Sequence, residues 1–186
     1  RSGDQGELGL ERSAEVLEEP FEVADGVVIP PGRYEFGRAN VSVTSASKRS
    51  WQAGASVSWG GFYSGDLTTT NGFLAWSNGG GHLQLRLSGL ENQGRLPEGS
   101  FVQRLFQLNS TYAFSPDLVV SANGQYDTVS RNLGLFARVR FTPAPGSDLI
   151  LVWNHGWQET EEANGPTSLR FSSEELVLKL RFTFRG

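Results

Sequence analysis

A two-residue alternation of apolar and polar side chains runs through most of this chain and constrains its fold more than any other feature. It is clearest in ELVLKLRFTFRG at residues 175–186, where every second residue is a leucine or phenylalanine and most of the others are charged or polar. A period of two is the signature of a β-strand with two unlike faces. The chain is therefore predicted to be all-β and antiparallel.

The same alternation predicts about nine strands of roughly ten residues each, near the length that a tilted strand needs to cross a bilayer. No apolar run approaches the roughly 18 residues that mark a transmembrane helix. A transmembrane β-barrel would escape that test, because its apolar residues occupy every second position. The predicted strands are 33–45, 51–59, 67–76, 82–90, 102–114, 118–126, 132–142, 149–157 and 175–184.

Residues 1–31 have a different character and hold eight of the twenty acidic residues. The stretch SAEVLEE is predicted to form a short helix that ends before Pro20, since a residue before proline is disfavoured in the helical conformation. Pro30 and Pro31 then interrupt regular structure. We predict an acidic loop or cap segment over 1–31 and β-barrel strands over 32–186.

Alternation alone does not distinguish a membrane barrel from a soluble β-sandwich, but the connections do. Counted back from the C-terminus, every second link is short, whereas the links between them include QETEEANGPTSLRFSS and ENQGRLPEGS. Outer-membrane barrels have short periplasmic turns and longer extracellular loops. Aromatic residues also concentrate near the predicted strand ends, as membrane-interface belts require. Both features favour an antiparallel up-and-down transmembrane β-barrel.

Composition narrows the chemistry. The net charge of -4 argues against a nucleic-acid partner. The absence of cysteine excludes a disulfide framework and thiolate metal sites. Methionine is absent too, so we expect a processed product or a piece of a longer protein.

Four stretches together resemble a known family: LEEPFEVADGVVIPPGRYEF, KRSWQAGASVSWGGFYSGD, LPEGSFVQRLFQLNSTYAFSPDLVVSANGQYDTVSRNLGLFARVRF and PGSDLILVWNHGW. Their order and spacing are similar to the C-terminal β-barrel of bacterial outer-membrane proteins of unknown function. Full-length members carry an N-terminal domain that resembles family-nine carbohydrate-binding modules. The resemblance implies a Gram-negative outer-membrane location, a larger barrel of which this is the C-terminal part, and a link to glycans. It implies no catalytic residues. The odd number of predicted strands agrees with missing upstream strands, since bacterial single-chain barrels have even numbers.

Five cations on the polar side of predicted strands are the first candidate site. Lining a lumen, they would favour anionic solutes or an acidic plug segment. The alternative is that they pair with acidic side chains and only hold the interior together. They are Arg86, Arg138, Arg140, Lys179 and Arg181.

Three acids of the long link near the C-terminus, Glu159, Glu161 and Glu162, are the second candidate site, for an extracellular divalent cation. The alternative is a solvated acidic loop, because the spacing lacks the pattern of a calcium loop. His82 and His155 stand apart and form no metal motif. Apart from the three candidate acids, no cofactor, metal site or catalytic residue is predicted.

The function predicted from these features is a pore, transporter or surface-anchoring element in the outer membrane, rather than an enzyme. Its expected partners are outer-membrane lipid, the barrel assembly machinery and a glycan or anionic solute. A soluble β-sandwich or lipocalin-like binding module is the alternative. A barrel enzyme acting on lipid or on a surface polymer is a third, weaker interpretation.

Overall fold

The computed structural model describes residues 3–160 and 168–183, and 79% of them lie in β-strands. Ten strands form one antiparallel up-and-down sheet, with β1 and β12 as its two edges, and two short strands form a separate hairpin. Within the described residues there is no helix long and apolar enough to cross a membrane. The strands are β1 (Gln5–Leu17), β2 (Phe21–Ala24), β3 (Val27–Ile29), β4 (Gly32–Thr44), β5 (Trp51–Phe62), β6 (Gly65–Ser77), β7 (Leu83–Leu96), β8 (Gly99–Ala113), β9 (Leu118–Asp127), β10 (Asn132–Ala144), β11 (Ser147–Thr160) and β12 (Ser168–Arg181).

The all-β antiparallel prediction is confirmed, and each of the nine predicted strands has a counterpart among β4–β12. The predicted faces also agree where neighbouring strands can be compared. Val120 of β9 lies across from Val139 of β10, and Ala122 lies across from Ala137. Since residues in register share a side of the sheet, the apolar sides of these two strands coincide.

The prediction of an acidic loop or cap over residues 1–31 is wrong for Gln5–Leu17, which form β1 and pair along their whole length with β4. The helix predicted for SAEVLEE is wrong for the same reason, since Leu17 is still in the strand. Leu8 and Leu10 alternate with polar residues, and a complete ladder of backbone hydrogen bonds outweighs the acidic composition. The sheet therefore has ten strands, and the odd count no longer argues for missing ones.

The ENQGRLPEGS link, predicted to be long, is largely strand. β7 continues to Leu96 and β8 begins at Gly99, so most of ENQGRLPEGS belongs to the sheet. Polar side chains stabilise this extension, because Arg104 forms an ion pair with Glu91. β12 begins at Ser168, and residues 161–167 of the acidic link lie outside the described residues. At the ENQGRLPEGS link, the expected long loop is thus an extended hairpin.

The chain divides into two compact units, Arg1–Leu74 with Ser88–Leu105, and Ala75–Leu87 with Phe106–Gly186. In the first unit the usual burial pattern of a soluble sheet is inverted. On β4, Val41 and Val43 are 36% and 57% exposed, whereas Ser42 and Thr44 are half-buried. On β5 the exposed residues are Trp51, Ala53, Ala55, Val57 and Trp59, and the half-buried ones are Gln52, Gly54, Ser56 and Ser58. We call the half-buried side, which contains Ser42 and Ser56, the polar face of the first unit.

The hydrophobic core of the first unit is small and lies under the β2–β3 hairpin. Val27 and Ile29 of β3 pack against Leu67, Leu96 and Phe101, and Ile29 is fully buried. Within the described residues of this unit, the buried apolar side chains are this cluster and Ala46.

Strands β9 to β12 lie in the second unit. β10 pairs with β9 and β11, and β11 pairs with β12, in antiparallel register. A β-bulge shifts the β11–β12 register between Gly156 and Trp157. Between Asp148 and Gly156 of β11 the register is continuous, and it fixes which side chains of β10, β11 and β12 share one side of the sheet.

Candidate functional site

Four of the five predicted cations lie on one side of β10–β12. Arg140 lies across from Ile150, and Ile150 lies across from Lys179. Two residues further along the strands, Arg138 lies in the row of Val152 and Val177. Arg181 lies across from Asp148, in the row on the other side of Lys179. We call this group of Arg138, Arg140, Lys179 and Arg181 the basic rows.

Within the described residues, Arg181 is the one member of the basic rows whose side chain forms an ion pair. All four side chains are exposed. Arg181 Nη1 lies 3.7 Å from Asp148 Oδ2, and Thr142 donates a hydrogen bond to the same carboxylate at 2.9 Å. The side chains of Arg138, Arg140 and Lys179 make no hydrogen bond or ion pair within residues 3–160 and 168–183. These three therefore do not pair with described acids, as the alternative interpretation required.

The spacing of these cations lets their fields add. Arg140 and Lys179 are two strands apart, about 9–10 Å at the level of the backbone. This separation is comparable to the screening length of about 8–10 Å at physiological ionic strength. A small anion between the Arg140 and Lys179 side chains would therefore be attracted by both positive charges.

Arg86, the fifth predicted cation, does not belong to the basic rows. It is an exposed residue of β7 in the second unit, and β8 and β9 separate β7 from β10 in the sheet. Arg86 has an interaction partner of its own. The structure therefore brings together four of the five residues.

A polar cleft of about 460 Å³ adjoins the basic rows on the same side of β9–β12. Gly134 and Gly156 lie across from each other at its floor. Asn154 donates a hydrogen bond to Glu175 at 3.0 Å, in the row next to that of Arg138. Amide, hydroxyl and aromatic groups that can contact a polar solute line its sides: Asn123, Gln125, Asn132, Phe136 and Ser173.

Of the three acids of the predicted cation site, Glu159 is the one that lies within the described residues. Glu159 lies in β11 and accepts a hydrogen bond from the Tyr126 hydroxyl. Glu161 and Glu162 lie outside the described residues. No group of three histidine, cysteine or acidic side chains within the described part of the chain could hold a metal ion.

A charged and polar network in the first unit escaped the sequence analysis. Arg38 donates a hydrogen bond to Thr69 at 3.1 Å, and Thr69 donates one to Asn92 at 2.9 Å. Arg38 lies across from Glu11 of β1, and its Nε atom is buried without a hydrogen-bond partner among the described residues. The alternation of apolar and polar residues over 5–17 was the signal that could have revealed Glu11.

Comparison of the sequence and structure with protein-family models, with curated proteins and with solved structures gave no match.

Proposed function

We propose that this chain is a bacterial outer-membrane β-barrel protein whose polar interior favours anionic solutes. The observation that carries the proposal is the inverted alternation in the first unit. Val43 and Val57 are 57% and 38% exposed, whereas the serines beside them, Ser42 on β4 and Ser56 and Ser58 on β5, are half-buried. Large exposed apolar surfaces mark contact with a membrane or a protein, and barrel strands alternate apolar-out with polar-in.

The aromatic residues of β5 support a membrane orientation. Trp51 and Trp59 share the exposed face, and eight residue steps correspond to about 26 Å along a strand. Tilted as in a barrel, the strand would separate the two rings by roughly 20 Å along the membrane normal, comparable to the apolar band of about 25 Å. Indole rings favour the headgroup level at both membrane surfaces.

Closure of the sheet into a barrel belongs to the proposal, as does the family resemblance. The edge strands β1 and β12 would otherwise present unpaired backbone groups to lipid, each costing several kcal/mol. A soluble β-sandwich or lipocalin-like module is the weaker candidate. Such folds require a continuous buried core, and the buried cluster here is confined to Val27, Ile29, Leu67, Leu96 and Phe101 within the described residues.

The first test is refolding with and without detergent micelles, followed by circular dichroism and by gel mobility of unheated and boiled samples. We expect β-structure and a mobility shift only with detergent, because the exposed apolar side chains need an apolar environment. Cooperative folding in buffer alone would overturn the membrane proposal and favour the soluble binding module.

The positive charge of the basic rows is the reason for proposing anionic solutes. Fixed cations along a pore attract anions and repel cations. In planar bilayers, Arg140→Ser is expected to lower the ratio of anion to cation permeability, and adding Arg138→Ser and Lys179→Ser should lower it further. The matched control is Arg95→Ser, since Arg95 is also exposed but alternates with the buried Leu96 and so faces away from the polar side. Equal shifts for Arg140→Ser and Arg95→Ser would refute the assignment of the basic rows.

A further inference from the structure

The β2–β3 hairpin lies outside the ten-stranded sheet, yet it holds the most deeply buried side chain of the described chain. Ile29 has no exposed surface, and Val27 is 6% exposed. Both pack against residues of three different strands of the sheet, Leu67 of β6, Leu96 of β7 and Phe101 of β8. A surface loop would not be held in this way.

The hairpin packs against the polar face of the first unit. Leu67 and Thr69 are two residues apart on β6 and so share a side, and Thr69 is bonded to Arg38 and Asn92. Leu96 shares a side of β7 with Asn92 by the same alternation. The apolar cluster is thus set among polar groups on the side that faces the interior in the proposed barrel.

Polar and aromatic contacts fix the hairpin in this position. Gln103 of β8 donates a hydrogen bond to the Val23 carbonyl at 2.9 Å, and the Tyr34 hydroxyl donates one to the Pro30 carbonyl at 2.8 Å. The ring of Phe21 lies 6.1 Å from that of Tyr63. Hydrogen bonds at both ends of the hairpin and apolar burial between them resist its displacement.

Glycine at two positions allows close packing beneath the hairpin. A Cβ atom at Gly94 would lie 2.2 Å from the Phe101 ring, and one at Gly99, where φ is +152°, would lie 3.0 Å from Val27. The Phe101 ring therefore covers Gly94 directly, and the hairpin approaches the β7–β8 turn closely. Larger residues at either position would push these groups apart.

From this geometry we propose that the β2–β3 hairpin is a fixed internal plug that narrows the solute path of the barrel at the end where β5 meets β6 and β7 meets β8. The inference rests on the proposed function, because a plug requires a lumen. The hairpin covers part of the polar face and leaves less of that end open to solutes. It thereby sets an upper limit on solute size, while the basic rows set the preferred charge.

The experiment compares the unaltered chain with a variant in which residues 21–29 are replaced by a glycine–serine segment of equal length. Conductance and the cut-off for neutral polymers are measured in planar bilayers, after the mobility of unheated samples has shown that each protein is folded. We expect the replacement to raise conductance by about twofold or more and to admit larger polymers, since a wider path holds more ions. An inserted variant with unchanged conductance and cut-off would overturn the plug and leave the barrel proposal intact. Failure of the unaltered chain to insert would overturn both.

A second measurement covers the case in which the replacement variant does not insert. The chain has no cysteine, so a single Leu67→Cys thiol can be labelled with a water-soluble reagent in the otherwise unaltered protein. Leu67 is 7% exposed beneath the hairpin, whereas Ser56, the control position on the same polar face, is half-buried. We expect Leu67→Cys to react about tenfold more slowly than Ser56→Cys, because its thiol is reached only by local opening. Equal rates would overturn the plug.

Discussion

Two adjacent substitutions in β5, Ala55→Arg and Ser56→Arg, test whether one face of the strand contacts lipid and the other faces a polar interior, as proposed. Ala55 is exposed and pairs with Val43 of β4, which is 57% exposed. Ser56 is half-buried and pairs with Ser42, which lies across from Glu7 of β1. Both substitutions introduce the same side chain in place of a small one, one residue apart, on opposite faces.

The expected magnitude follows from the position of Ala55 along the strand. It lies four residues from Trp51 and four from Trp59, and so at the middle of the proposed apolar band. An arginine on the lipid face of a barrel at the bilayer midplane costs about 2–4 kcal/mol. That cost lowers the folding equilibrium constant by roughly 30- to 1,000-fold. At Ser56 an arginine would face polar side chains, with Glu7 about 9–10 Å away at the backbone, and we expect a change within about 0.5 kcal/mol.

The assay is urea-induced unfolding of both variants and the unaltered chain in phospholipid vesicles, monitored by tryptophan fluorescence. Ala55→Arg should shift the midpoint to lower urea with little change in slope, and Ser56→Arg should resemble the unaltered chain. Equal destabilisation by the two substitutions, or a larger loss for Ser56→Arg, would refute the membrane-facing assignment of β5.

Two further predictions concern individual contacts of the first unit. The Tyr63 hydroxyl donates a hydrogen bond to Glu15 at 2.5 Å, which raises the pKa of Tyr63 from 10.0 to about 12. Because the pKa is raised in the folded protein, this bond stabilises the fold fully below pH 10, and its contribution is lost as the pH rises towards 12. We expect Tyr63→Phe to be less stable than the unaltered chain by about 1 kcal/mol at neutral pH. Denaturant titrations at stepped pH should show this difference in the free energy of unfolding disappear between pH 10 and pH 12. Gly94→Ala should destabilise the protein by about 1–3 kcal/mol through overpacking against Phe101. Gly134→Ala, where the added Cβ meets open space, should change the midpoint of denaturant-induced unfolding little. Similar midpoints for the two alanine variants would contradict the packing argument.

The strands of β4–β12 could be predicted from the sequence because period-two alternation is a local property. Each apolar residue of 51–59 is followed by a polar residue or glycine, and no neighbouring strand is needed to see it. β1 shows the same alternation, but its acidic composition and the short SAEVLEE stretch favoured a loop and a helix. The backbone ladder with β4 outweighed both, and that ladder depends on residues 15 to 39 positions away in the chain.

Link lengths could not be predicted from composition, because polar residues also occur where strands extend. The ENQGRLPEGS stretch contains turn-forming and charged residues, yet Glu91 and Arg104 pair across the β7–β8 extension. A polar residue in such an extension can have a cross-strand partner that stabilises the ladder. The sequence alone does not say which polar residues will find such partners.

By itself, then, the sequence determined that this protein is an antiparallel β protein with one apolar and one polar face on most strands. Only the tertiary structure decided which polar residues meet. Register across β10, β11 and β12 brought Arg140 and Lys179 into one row and left Arg86 outside it. Long-range packing placed Ile29 against the polar face of the first unit. Both outcomes depend on contacts between distant parts of the chain, which a local pattern of alternation does not specify.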